Sequence, residues 1–165
     1  MTFHPTRAVV TGSESGIGRA TAVALAEAGM AVGVTWHSDE AGAQGTADEI
    51  RRAGGRAEVA RLDAADIPGC GDVVDERADR LGGLDVFVNN AGTGAATLAL
   101  DLSPQDWRKI VATDLDGPFV CLQRAARHMV AGGAGGRLIA VTSVHEHAPR
   151  VGSAATTPPN TVSAD

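Results

Sequence analysis

The chain has 165 residues, 44% of them hydrophobic, a formal net charge of -6 and a pI near 5.3. That length suits one globular domain of ordinary size, and the acidic balance offers no electrostatic footprint for nucleic acid. No apolar run reaches membrane-spanning length and the N-terminal MTFHPTRAVVTG has no long apolar core of a secretory signal, so no membrane partner is expected and the expected location is cytoplasmic. The two cysteines, Cys70 and Cys121, have no metal-ligand spacing; they suit a reducing compartment and read as small buried hydrophobes. Aromatic residues make up 3% and tyrosine is absent.

Short β-branched runs alternate with longer helical stretches, the pattern of a parallel sheet with crossover helices. Arg7 to Thr11 reads as the first strand, and Ile17 to Ala28 as its Ala-rich helix, closed by Gly29. Met30 to Trp36 is the second strand. A polar helix follows from Asp39 to Ala53, ending at Gly54-Gly55, and Ala57 to Leu62 is the third strand. Ile67 to Leu81 reads as helical, and LDVFVNNAG, starting at Leu84, supplies the fourth strand. Ser103 and Pro104 look like an N-cap and first-turn proline of a long helix running towards Met129. GGAGG, residues 132 to 136, breaks that helix. Arg137 to Thr142, nearly all apolar, is the fifth strand and is expected to be covered on both faces.

The most informative stretch is VVTGSESGIGRA, residues 9 to 20, where a buried-type strand runs through glycines at 12, 16 and 18 into a helix. Glycine permits close backbone approach, and the helix start offers free N–H groups to a pyrophosphate. The spacing T-G-x-x-x-G-I-G is wider than the common G-x-G-x-x-G, and a glycine-rich turn alone is weak evidence. VNNAG, Val88 to Gly92, follows at the end of the fourth strand.

Together these motifs resemble the short-chain dehydrogenase/reductase family, over residues 7 to 155. The resemblance implies a Rossmann-like, doubly wound α/β sheet of about five parallel strands in the order 3-2-1-4-5, with helices on both faces and the C-terminal part of the family fold missing. Residues 1–150 would form an NAD(P)-binding domain, with 151–165 a disordered tail outside the family pattern. It further implies hydride transfer between NAD(P) and a small-molecule carbonyl or secondary alcohol. Gly12, Ser13, Ser15, Gly16, Ile17 and Gly18 would hold the cofactor phosphates, and Asn90, Ala91 and Gly92 would hold the sheet beside it. Asp63, in RLDAAD, falls where relatives contact adenine. TWHSDE and SVHEH resemble the glucose 1-dehydrogenase and 3-oxoacyl-carrier-protein reductase branches without separating them. The HEH triplet at 145 to 147 has no third ligand run, and no metal is assigned.

At the end of the second strand an acid would bind the ribose hydroxyls of NAD, and a base would favour the NADP phosphate. His37 falls where NADP-preferring relatives often carry Arg, which leans the reading to NADP, although Ser13, Glu14 and Ser15 add no second cation.

The implied chemistry needs a serine, a phenol thirteen residues later and a lysine four beyond that. Ser143 takes the first place. The count then lands on Thr156 and Asn160, which supply neither a suitable proton donor nor a charge to tune one. Asp114, in ATDLDGPF, stands where the resemblance places an Asn that holds a proton-relay water in many relatives, and is the candidate for that place here. The chain is therefore expected to be inactive as written. Inserting a single T before the Thr156 codon converts it to TAC and leaves the fifth codon as xAA, restoring tyrosine at 156 and permitting lysine at 160. A frameshifted or mispredicted reading of this segment is the expectation, with marginal stability and aggregation of the chain as written. Intact relatives are homo-oligomers. A non-catalytic nucleotide-binding or scaffolding protein is the alternative, and a Rossmann-type methyltransferase is disfavoured by both motifs.

Overall fold

A computed structural model describes residues 3–94, 97, 98 and 100–144. Five strands, β1 (Arg7–Val10), β2 (Ala31–Trp36), β3 (Ala57–Arg61), β4 (Val86–Asn89) and β5 (Arg137–Ala140), form one parallel sheet in the order β3-β2-β1-β4-β5. The order matches the sequence expectation. The helices are α1 (Gly16–Glu27), α2 (Glu40–Arg52), α3 (Gly69–Leu81), α4 (Pro104–Val111) and α5 (Gly117–Gly132).

The central strands are buried on both faces, and this is why they read as unbroken apolar runs rather than alternating ones. On one face Ala8 and Val10 of β1 and Val86 and Val88 of β4 pack with Ala22 of α1 and Ala43, Ala47 and Ile50 of α2. On the other, Val9 and Phe87 pack with Val74 and Ala78 of α3 and Ala125 and Met129 of α5. Cys70 and Cys121 are free thiols buried in this second cluster, as small core residues.

Two expectations are corrected. The single long helix after Ser103 is two helices separated by a π-helical turn at Ala112–Asp116. Ser103 does cap α4, accepting from the Asp106 N–H at 3.0 Å. The turn runs into Gly117, where any Cβ would strike the carbonyl of Ala64, so only a residue without a Cβ lets the chain pass that loop at this distance. The second correction concerns β5, whose four residues are all exposed. Among the described residues β5 pairs only with β4, leaving Leu138 and Ile139 each 46% exposed and Val144 71%. Nearly every other element begins and ends within two residues of its sequence-based bounds; α3 starts at Gly69 because Pro68 takes the N-cap position.

The base of the sheet is fastened by Asp85, at the start of β4. It accepts from the Thr6 N–H at 2.8 Å, the Thr6 hydroxyl at 3.1 Å, the Arg7 N–H at 3.1 Å and the Arg7 guanidinium at 2.7 and 3.0 Å. Burial opposes its ionisation, but the hydrogen bonds from Arg7 and Thr6 and the Arg7 charge outweigh burial and hold the carboxyl below its ordinary range. A depressed folded value stabilises fully above the unfolded pKa of about 4 and is lost as pH falls through the folded value. Asp85→Asn should therefore cost about 2–3 kcal/mol at neutral pH and flatten the acid side of the stability profile. Urea melts from neutral to strongly acidic pH check this; parallel profiles for the two proteins would contradict it.

Among the described residues the outer edge of β5 is unpaired and its apolar side chains are exposed, a template for pairing with another chain. The purified 165-residue chain is expected to self-associate, and Ile139→Lys to reduce that association in sedimentation velocity. A parent protein that is monomeric and melts cooperatively would refute the expectation.

Candidate functional site: a cleft at the carboxyl edge of the sheet

In an open parallel sheet ligands bind beyond the carboxyl ends of the strands, where the strand order reverses. Here that point lies between β1 and β4, and the loop leaving β1 is held there by a tight set of polar contacts. The Asn90 side-chain amide donates to the carbonyls of Thr11 at 3.0 Å and Gly12 at 2.9 Å. In return the Thr11 hydroxyl accepts the N–H groups of Asn90 and Ala91, both at 2.9 Å. Gly12 has φ +62, and a Cβ there would stand 3.0 Å from Ala91 Cα. Gly18, buried on α1, sits so close that a Cβ would collide with the Gly12 carbonyl and the Asn90 amide. The glycines thus allow strand, loop and helix to converge.

The other side of the loop is fastened to β2 and α2. The Ser13 hydroxyl donates to the Val10 carbonyl at 2.9 Å and accepts the Thr35 N–H at 2.9 Å. Thr46 of α2 donates to the Ser13 carbonyl at 3.0 Å. Ser15 occupies the N-cap of α1, but its side chain makes no capping hydrogen bond. The amino end of α1 consequently presents its N–H groups and the positive end of its dipole to whatever lies beyond the loop.

What lies beyond is a cleft of about 640 Å³, within the size range of small-molecule sites. Gly12, Ser15, Gly16, Ile17, His37, Asp63, Asn90, Ala91 and Gly92 all line it. Ser13 and Gly18 do not; the first is buried and bonded within the loop, and the second is a packing position. Ile17 is 65% exposed towards this space, which gives the cleft an apolar wall. Asp63 turns one oxygen back to the Ala65 N–H at 3.0 Å, while the other stands 3.5 Å from His37 Nε2.

Glu14 and Ser38 also face the cleft, as do Thr93, Lys109 and Thr113, which the sequence did not single out. Lys109 is the sole lysine of the chain, a signal that composition alone could have raised. Thr11 and Thr35 were legible only as strand residues; their hydroxyls matter through contacts that no periodicity reveals.

Asp114 lies in the π-helical turn and accepts the Thr93 N–H at 2.7 Å. Burial raises its pKa, and the Thr93 N–H works against that rise. Ser143 follows β5 at the same edge of the sheet, half-buried. The structure thus brings the loop, His37, Asp63 and Asn90 to one cleft, and places Asp114 and Ser143 at the β4 and β5 side. His145, Glu146, His147, Thr156 and Asn160, and the whole 151–165 tail, lie outside the described residues.

A family model described as short chain dehydrogenase matches residues 6–155. The chain belongs to that family. The oxidoreductase YohF of Escherichia coli K12 is 49% identical over 142 residues, an alignment covering 86% of this chain and 56% of that protein. Glucose 1-dehydrogenase 2 of Bacillus subtilis is 34% identical over 144 residues, covering 87% and 56%. Among solved structures, acetoin dehydrogenase from Enterobacter cloacae is 45% identical with a TM-score of 0.92, covering 98% of this chain and 64% of its own. The chain therefore spans little more than half the length of these curated relatives. NAD(P) is the cofactor expected of the family, and the cleft offers an open helix start and a close approach of loop and strand that glycine at 12 and 18 permits.

Two glycine substitutions of opposite sign test the geometry. Gly18→Ala should destabilise by about 1–3 kcal/mol, because overpacking here pushes on the Gly12 carbonyl. Gly45→Ala, inside α2 with nothing within 4 Å of its Cβ, should stabilise by about 0.5–1 kcal/mol. Thermal melts of the two variants check both, and equal effects would contradict the close approach.

Proposed function

We propose that residues 1–150 form the nucleotide-binding unit of an oxidoreductase that moves hydride between NAD(P) and a carbonyl or secondary alcohol. The observation that carries this reading is the lock of Asn90 onto Thr11 and Gly12 beside the uncapped start of α1. When bound, the nicotinamide supplies or accepts the hydride. This chain's residues would do the rest. The N–H groups of Gly16, Ile17 and Gly18 would face the pyrophosphate, Asp63 the adenine, and Ser143 the substrate oxygen. Asp114 would steady the 92–94 segment through Thr93, at the position where relatives carry the asparagine of a proton relay.

The proton is where the chain falls short. No tyrosine occurs in it, and a threonine hydroxyl at 156 cannot share a proton near neutral pH. With Asn160 in the lysine position, nothing lowers the pKa of a donor or binds the nicotinamide ribose through a charge. This favours a second reading for the chain as written, a nucleotide-binding or scaffolding protein without turnover. The intact enzyme would be a homo-oligomer acting on a small molecule, and a small hydroxyketone is the first substrate class to try, given the Enterobacter cloacae relative's name. Two free, buried cysteines suit a cytoplasmic setting.

His37 on its own favours NADP, whose phosphate it could meet as a cation. It stands, however, beside Glu14, whose carboxylate acts the other way.

The expected behaviour is binding without chemistry. Titrating the 165-residue chain with NADH should give saturable fluorescence changes, while acetoin and NADH together should show no consumption of NADH above the uncatalysed rate. Sustained turnover would refute the need for the missing phenol, and no binding would refute the cleft assignment.

A further inference from the structure

We propose that Glu14 makes the cleft select NAD over NADP. The proposal rests on reading the cleft as a dinucleotide site, and it reverses the lean that His37 alone gives. In this architecture the adenosine ribose lies at the carboxyl end of the second strand, where His37 and Ser38 follow β2. The glycine-rich loop folds Glu14 into that corner. One carboxylate oxygen accepts the His37 backbone N–H at 3.4 Å. The other, Oε2, is buried without a hydrogen-bond partner, although the residue lines the cleft.

A buried carboxylate oxygen without a donor is a costly arrangement. The ribose hydroxyls of NAD are donors of the right kind at this end of the cleft, and they would satisfy Oε2 once the Glu14 side chain turns that buried oxygen towards the cleft it lines. A 2′-phosphate has no proton to offer and carries close to two negative charges at neutral pH, so it would meet Glu14 as a like charge in a partly desolvated corner.

The nearby cations do not offset this. The His37 imidazole faces Asp63, with Nε2 3.5 Å from the carboxylate, which adds a second acid to the corner. Arg61 lies over the Trp36 ring at 5.9 Å and donates to the His37 carbonyl at 3.3 Å, outside the cleft lining. Arg19 is paired with Glu49 at 2.7 Å. Lys109 stands on the α4 side of the cleft. The corner therefore holds two carboxylates against one imidazole, and it is built for a hydroxyl.

Calorimetric titration of the 165-residue chain with NAD+ and NADP+ tests the proposal without any variant. NAD+ should bind about tenfold tighter or more, and 5′-AMP should be preferred over adenosine 2′,5′-bisphosphate in the same direction. Glu14→Gln, nearly isosteric, should narrow the ratio several-fold by strengthening NADP+ binding, and Glu14→Arg should invert it. Equal or tighter binding of NADP+ by the parent, or an unchanged ratio in Glu14→Gln, would overturn the role of Glu14 while leaving the dinucleotide site standing. Binding of neither nucleotide would overturn both.

Discussion

The shape of the cleft at the carboxyl edge depends on how closely the β1 loop approaches β4. The Asn90 amide spans two successive carbonyls of that loop, and the Thr11 hydroxyl returns two backbone bonds to the β4 end. Four hydrogen bonds thereby pair polar groups at a junction that water would otherwise have to serve. The arrangement fits only because Gly12 adopts φ +62 and Gly18 has no Cβ to collide with the Gly12 carbonyl. Remove the small residues and the loop must lift. Lift the loop and the start of α1 no longer points into the cleft.

A division of labour along the cleft follows from this. At the β2 end the cleft has an open helix start, the Asp63 carboxylate, and the Glu14 and His37 corner, the groups that the proposed nucleotide site would use. At the β5 end the described residues include Ser143, with Asp114 accepting the Thr93 N–H. Binding needs fixed backbone dipoles, which a folded loop provides by itself. Proton transfer needs a titratable side chain of suitable pKa, and on the proposed reading the sequence offers Thr156 and Asn160 for it. On that reading nucleotide recognition and catalysis are separable on chemical grounds.

The sheet order and the helix layers were legible because each central strand carries a continuous apolar run, and because the turns between elements are marked by glycine. T-G-x-x-x-G-I-G and N-N-A-G pointed to the loop and to Asn90 for the same reason: their residue types are demanded by backbone approach. Other features were not legible. The π-helical turn leads into Gly117, which passes close to the carbonyl of Ala64, far away in sequence, and no local periodicity encodes that approach. β5 has the composition of a covered strand, yet its exposure depends on what packs beside it, which its own residues do not state. Glu14 was visible as a residue that is not a cation. Its place became visible only in the fold, where one carboxylate oxygen accepts the His37 N–H and the other is left unpartnered.

Backbone amide shift mapping by NMR, with NAD+ added to the isotopically labelled 165-residue chain, tests the central claim most directly. Perturbations confined to Gly12–Gly18, the His37 and Asp63 corner and Asn90–Thr93, with broadening or downfield movement of the Gly16, Ile17 and Gly18 amides, are the predicted result. Saturating nucleotide that leaves those amides unmoved, or that shifts residues chiefly at the Thr6 and Asp85 base of the sheet, would contradict it.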